Sequence, residues 1–264
     1  MPSSLPTAIT SRLEKAAVDN GFDRELPAVG EWQAFASTQS ALCIWVGMTL
    51  SGAFAVALSQ HNVAAALETL GEPLEEALPS GAVEARVVPD IPTLHHLIRR
   101  AFQLSKSLPD ELLHVFTART ATLPRTTEIE RLIVQRVGQD IFRQGLLDYW
   151  EGRCAITGLA IPELLRASHI KPWSACETDA QRLDVYNGLL LAPHLDAAFD
   201  RGYITVAESG EVIVSSVLDA AARKVLGLET PISVQASLDS HCVYLRWHRK
   251  WLFQRREDQP QKPQ

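Results

Sequence analysis

Apolar and polar positions alternate with different periods along the chain. An amphipathic stretch from Ser11 to Asn20 predicts a helix, with Gly21 as its stop signal. Two nearly continuous apolar runs, Ala41 to Leu50 and Ala53 to Ser59, predict buried strands around a Ser51-Gly52 turn. Asn62 to Leu70 then fits a short helix closed by Gly71, and Ala82 to Val88 a strand bounded by Gly81 and Pro89. From Thr93 to Lys106, Leu94, Leu97, Ile98, Ala101, Phe102 and Leu104 recur at helical spacing, and a further helix fits Glu111 to Arg119. Leu123-Pro124-Arg125 reads as a linker. A capping-box pair, Thr127 and Glu130, opens a long helix with Ile129, Leu132, Ile133, Val137, Ile141, Phe142 and Leu146 on one face. A short strand holding His169, a loop, a second strand led by Asn187 and a helix from about His194 to Asp200 follow. The expected fold class is α+β, with an N-terminal α+β domain over 1–122, a second domain over 126–256, and a polar tail, 257–264, expected to be disordered.

Composition narrows the function classes. With 264 residues, 46% of them hydrophobic, the chain can bury a substantial core. Its longest apolar stretch, Ala41 to Leu58, is interrupted by Gly47, Thr49, Ser51 and Gly52 and lacks basic flanks, a poor membrane span. Met1 to Lys15 has no apolar secretion signal, so the expected location is cytoplasmic, with no membrane partner. Cys43, Cys154, Cys176 and Cys242 form no CxxC pair, which argues for reduced thiols and against a structural zinc. The formal net charge is −6, but residues 1–90 hold 4 Lys/Arg against 11 Asp/Glu, leaving the remainder nearly balanced at 21 against 20. From Arg246 to Arg256 five basic residues, no acidic ones, and Trp247, Trp251 and Phe253 are interleaved. That composition suits either a phosphate-facing surface or an amphipathic helix with a buried aromatic side.

Candidate chemistry gathers after the long helix, in three blocks. These are RCAITG from Arg153, LLRASHIKPW from Leu164 and YNGLLLAPHLDAAFDRG from Tyr186. Asp196 and Asp200 are four apart and share a helix face, side by side, where a hard divalent cation would bridge them. Like charges at that spacing repel, and their place in the C-terminal portion of the helix opposes its dipole. His169 alone would read as a core histidine in an apolar strand. Asn187-Gly188 is a turn signal, and the Asn187 amide can equally bridge backbone groups of a loop.

The blocks resemble the HNH endonuclease family, in particular the bacterial subgroup reading C-x-x-T-G, A-S-H-I-x-P-W, N-G-L-L-L and D-x-x-F-D-x-G. The resemblance covers roughly residues 127 to 255, including VGQDIFRQGLL upstream and HRKWLF downstream. It implies a ββα-metal nuclease module between about Tyr149 and Val206 with flanking helices, and says nothing of the first 120 or so residues. It further implies His169 as general base, Asn187 as the residue fixing the loop that aims it, and Asp196 in the helix position where many relatives carry histidine. The catalytic set is thus His169, Asn187 and Asp196, and the metal set Asp196, Asp200 and Ser168. Relatives often place Asp or His where Ser168 stands, a weak ligand, which leaves a third protein ligand open. His194 is an alternative ligand, cap or phosphate contact. Carboxylates favour Mg²⁺ or Mn²⁺.

Arg143, Arg166, Lys171, His194, Arg201, Arg249 and Lys250 are the candidate nucleic-acid contacts, and Trp173 is either a groove wedge or a core aromatic. The expected activity is metal-dependent hydrolysis of DNA phosphodiesters, on double-stranded DNA, in bacterial restriction or defence, with a homodimer because one module cuts one strand. The competing expectation is a DNA-binding or sensor protein with a degenerate module.

Overall fold

The structure is a computed structural model and describes residues 6–124, 126–234, 236 and 238–254. Arg125 of the expected linker, Arg255 and Arg256 of the basic run, and the polar tail lie outside the described residues. The chain forms two compact units, Met1–Leu108 and Pro109–Gln264.

In the first unit, helix α1 (Thr7–Asp19) precedes a meander of β1 (Arg24–Val29), β2 (Trp32–Ala36), β3 (Cys43–Met48) and β4 (Phe54–Leu58). Helix α2 (His61–Ala66), β5 (Glu72–Pro73), β6 (Glu84–Val88) and α3 (Ile91–Ser107) complete it. The strands make one antiparallel sheet in the order β1-β2-β3-β4-β6-β5. Phe35, Ile44, Val46, Val56 and Leu58 are buried on the sheet, and Leu13, Ala16, Val63, Leu94, Leu97 and Ile98 are buried on the three helices that pack against it. The expected Ser51-Gly52 turn joins β3 to β4, with the Thr49 amide donating to the Ala53 carbonyl. Gly21 ends α1 at φ +98°, and a side chain there would strike the Phe102 ring. The short strands β1, β2 and β5 have weak alternation and were not expected. The helix expected over Asn62 to Leu70 ends at Ala66.

The second unit begins at Pro109, earlier than the expected linker, because α4 (Pro109–Thr120) packs on α5 (Glu128–Tyr149). Leu112 of α4 presses against Gly145, and the Trp173 ring against Gly138, two places on α5 where a Cβ would lie 2.5 Å from its neighbour. The capping box forms as expected: Glu130 N–H donates to the Thr127 hydroxyl and Thr127 N–H to the Glu130 carboxylate. Beyond α5 come β7 (Arg166–His169), α6 (Asp179–Leu183), β8 (Gly188–Leu191) and α7 (Pro193–Asp200). A hairpin of β9 (Ile204–Val206) and β10 (Val212–Val214), then α8 (Ala220–Val225) and α9 (Cys242–Trp251), close the unit. One core, including Phe142, Leu146, Leu165, Leu189, Leu195, Phe199 and Leu245, runs through all of it. Two expectations are corrected. Ile129, Leu132 and Ile133 are exposed, so the buried face of α5 starts only at Val134. The second strand starts at Gly188, since Asn187 still belongs to the preceding turn.

Two histidines of this unit are fully buried. His248 is held at both ring nitrogens, by the Thr205 hydroxyl at 2.9 Å and the Phe199 carbonyl at 3.0 Å. His241 sits among the rings of Tyr149, Trp150 and Tyr186, 5.4 to 5.6 Å away, with neither nitrogen hydrogen-bonded. Burial pulls each down to about 4 from the ordinary 6.5. The unfolded chain takes up these protons below about 6.5, so the stability present above that pH is lost as pH falls toward 4. His241→Leu removes one such proton and two unpaired nitrogens. Its melting temperature is expected to exceed that of the parent chain at pH 5, with the gap narrowing by pH 8; a gap of equal size at both pH values contradicts this.

Candidate active site

Four residues of one strand set the geometry. Strand β7 pairs with β8 in antiparallel register, Arg166 with Leu191, Ser168 with Leu189 and His169 with Gly188. Side chains alternate along a strand, so Arg166 and Ser168 share one face and Ala167 and His169 the other. Helices α7 and α5 both pack on β7. Ser168 reaches α7, where its hydroxyl donates to the Asp200 carboxylate at 3.2 Å. His169 reaches α5, where its ring stacks on Phe142 with centroids 3.8 Å apart and planes 15° apart. Gly188 makes room for that approach, since a Cβ there would meet Phe142 at 2.6 Å and Leu146 at 2.8 Å.

On the α7 side, the structure brings together Ser168, Asp196, Asp200 and Arg166. Burial raises both carboxyls above the usual range, and the charge of Asp196 raises Asp200 further. Asp200 keeps much of its surface open, but its carboxyl rests against protein on the Ser168 side. The Ser168 hydroxyl and, more weakly, Arg166 at Asp196 and Arg201 at Asp200 oppose the rise. One expectation about this helix is corrected. Asp196 lies in the first turn of α7, where the helix dipole favours an acid, so only Asp200 stands at the unfavourable end.

Two carboxylates and a hydroxyl are hard oxygen donors, and their mutual repulsion is what a divalent cation relieves, so these residues fit such an ion. Among the described residues no third His, Cys, Asp or Glu joins them. His194, two residues before Asp196, lies about 200° around the helix from it and is exposed, so it is not on the carboxylate face.

The α5 side is drier. The Trp173 ring meets His169 edge-on, and the His169 Nε2 lies 2.8 Å from the Arg182 carbonyl. A carbonyl only accepts, so Nε2 carries the proton and the neutral ring keeps its lone pair on Nδ1. Burial lowers His169 to about 4, with the Arg182 carbonyl working against that shift, and the ring is neutral at pH 7.

Loop residues 170–181 are held by Asn187, whose side chain is fully buried. Its Oδ1 accepts from the Lys171 amide at 2.7 Å, and its Nδ2 donates to the Lys171 and Gln181 carbonyls at 3.1 and 3.0 Å. Asn187 therefore both ends a turn and staples the loop, the two readings left open by the sequence. Arg182 was missed. Its guanidinium binds the Cys176 carbonyl at 2.6 Å, the Trp173 carbonyl at 3.3 Å and Asp179 at 2.9 Å, fixing the segment whose carbonyl holds His169. The available signal was the Thr178-to-Gln181 capping pattern that opens α6.

The candidate phosphate contacts divide. Arg166, Arg201, His194 and Lys250 are exposed. Arg143 spends its guanidinium on the Leu165 and Pro162 carbonyls, at 2.7 and 2.9 Å. Lys171 is buried, with its ammonium near Gln181 and Glu177, and Arg249 binds the Val206 carbonyl and Glu208. These three brace the fold and are poorly placed to grip a backbone. Trp173 packs between Gly138, His169 and the Arg182 guanidinium, the core-aromatic alternative. Helix α9 is amphipathic, with Tyr244, Leu245 and His248 inward and Arg246 paired to Glu208.

Cys154 serves the same module by accepting from the Thr157 and Ala192 amides. All four cysteines are free. No helix among the described residues is long and apolar enough to cross a membrane. No curated protein matches the chain. Residues 154–207 do match a family model, that of the HNH endonucleases. The match begins at the Cys154 turn and ends just past β9, so it spans β7, β8 and α7 with the loop that Asn187 holds. The C-terminal half of this α+β chain thus carries a domain of the HNH endonuclease family, the family of nucleases that the spaced blocks had suggested.

Proposed function

We propose that the chain is a metal-dependent DNA endonuclease that hydrolyses phosphodiester bonds in double-stranded DNA, in a bacterial restriction or defence role within the cytoplasm. The observation that carries the reading is the cluster of Ser168, Asp196 and Asp200 on one face of β7, inside the segment that matches the HNH endonucleases. Ser168 joins two helical carboxylates on one side, and the next residue, His169, offers a neutral imidazole of fixed tautomer.

In this reading Asp196, Asp200 and the Ser168 hydroxyl hold one Mg²⁺ or Mn²⁺. The cation, when bound, stabilises negative charge on the phosphate and on the departing 3′ oxygen. His169 stands on the face of β7 opposite the carboxylates, stacked on Phe142 with Nε2 at the Arg182 carbonyl, so its part as the base that takes a proton from the attacking water requires the ring to turn toward the phosphate when DNA binds. Asn187 acts on the reaction only through the loop it fixes. Arg166 and Arg201, exposed beside the carboxylates, bind flanking phosphates, and His194 and Lys250, also exposed, are further candidate contacts. The first unit serves recognition or regulation.

The presence of Ser168 where relatives carry Asp or His, with no third acidic or imidazole group in the cluster among the described residues, favours a second reading: a DNA-binding or sensor module without cleavage. Plasmid digestion with Mg²⁺ and Mn²⁺ separates the two. His169→Ala is expected to lower the cleavage rate by roughly 10²- to 10⁴-fold with DNA binding retained. Unchanged cleavage in that variant removes the assigned base, and binding without cleavage by the parent chain with either cation establishes the second reading. Ser168→Ala leaves Asp200 without its hydroxyl partner. It is expected to raise the metal concentration needed for half-maximal cleavage by roughly 10- to 100-fold, since the hydroxyl both lines the proposed site and orients Asp200. An unaltered metal titration contradicts the Ser168 role.

A further inference from the structure

The first two turns of α5 expose three large aliphatic side chains, Ile129, Leu132 and Ile133, at 71%, 52% and 47% of their surface. Their spacing of three and four residues makes one stripe. Further along the helix the same pattern turns inward through Val134, Gly138, Ile141 and Phe142. Isolated surface aliphatics need no explanation, but a contiguous stripe on a helix is the pattern of a face made to be covered.

The charges around the stripe indicate what covers it. Glu128 lies one turn before Leu132 and Arg136 one turn after it, both exposed, and neither has an ion-pair partner among the described residues. The row therefore reads acid, aliphatic, base. In an antiparallel pairing about a two-fold axis through Leu132, Glu128 of each copy meets the Arg136 of the other, and the two ion pairs flank a centre of six aliphatic side chains. A parallel pairing would set acid against acid. DNA fits poorly, since the stripe has no excess of positive charge and three groups that gain nothing from phosphate.

We infer that this face of α5 is a self-association surface whose occupant is a second copy of the chain, packed antiparallel across Leu132. The surface stands on its own chemistry; the nuclease reading gives it a use, because one module cuts one strand and a pair can cut both. A single helix pair is small for a specific interface, so the dimer is reversible and concentration-dependent.

The test is sedimentation of the full chain across a range of micromolar concentrations, with thermal melts to confirm that the variants stay folded. The parent chain is expected to show a monomer–dimer equilibrium, and Leu132→Glu to be monomeric throughout. Glu128→Arg and Arg136→Glu each place like charges together twice and are expected to weaken the dimer by roughly tenfold or more, and the double exchange to restore it. A parent chain that is monomeric at every concentration overturns the proposal. So does a dimer indifferent to Leu132→Glu, or a double exchange no better than the single ones. Plasmid cleavage is read in parallel: the Leu132→Glu monomer is expected to nick but to linearise poorly. Absence of cleavage in every sample would defeat the nuclease reading while sedimentation still decided the interface.

Discussion

The alternation of side chains along β7 is the constraint on which the site depends. Four residues, Arg166 to His169, have helix α5 and helix α7 packed on them. Their strand geometry sends Ser168 to two carboxylates and His169 to an aromatic wall, because neighbours on a strand cannot point the same way. The two environments that follow are chemically opposite. One is a polar edge where burial pushes Asp196 and Asp200 above the normal carboxylate range, Asp200 further through the charge of Asp196, while the other is an aromatic slot where burial keeps His169 neutral. A one-residue slip in the pairing with β8 would exchange the two sets and abolish the arrangement.

What prevents such a slip is distributed over the unit. Gly188 admits Phe142 and Leu146 where any side chain would collide, which fixes the register opposite His169. Asn187, just before it, closes the long loop with three backbone hydrogen bonds, and Arg182 ties the far side of the same loop to Trp173 and Cys176. The Trp150 indole N–H donates to the Gly188 carbonyl at 3.3 Å, tying the end of α5 to the same point. Much of the polar inventory of the module thus serves to hold one imidazole and its loop, which accounts for the buried asparagine in an otherwise apolar core.

The sequence made some of this legible and concealed the rest. Strong periodicity revealed α3 and α5, the capping box at Thr127 and the strand pair around Ser51-Gly52, because each is a local signal. The spaced blocks from Cys154 to Gly202 placed the module, and the four-residue spacing placed Asp196 and Asp200 on one helix. Concealed were features decided by distant contacts. Arg143, Lys171 and Arg249 look like free cations in the sequence, yet they are spent on carbonyl and side-chain oxygens brought near only by folding. Burial of α5 from Val134 onward, and exposure of Ile129, Leu132 and Ile133 before it, depends on where α4 and the loop lie across the helix. Strands β1, β2 and β5 carry little alternation and exist through pairing with the central strands.

The proposed cation site is Asp196 and Asp200, joined to β7 through Ser168. Its most direct test is the anomalous difference map of crystals of the full chain grown with Mn²⁺. The predicted result is one strong peak within bonding distance of both carboxylates. A map with Mn²⁺ bound elsewhere, or with no peak between Asp196 and Asp200 at a Mn²⁺ concentration that supports cleavage, contradicts it.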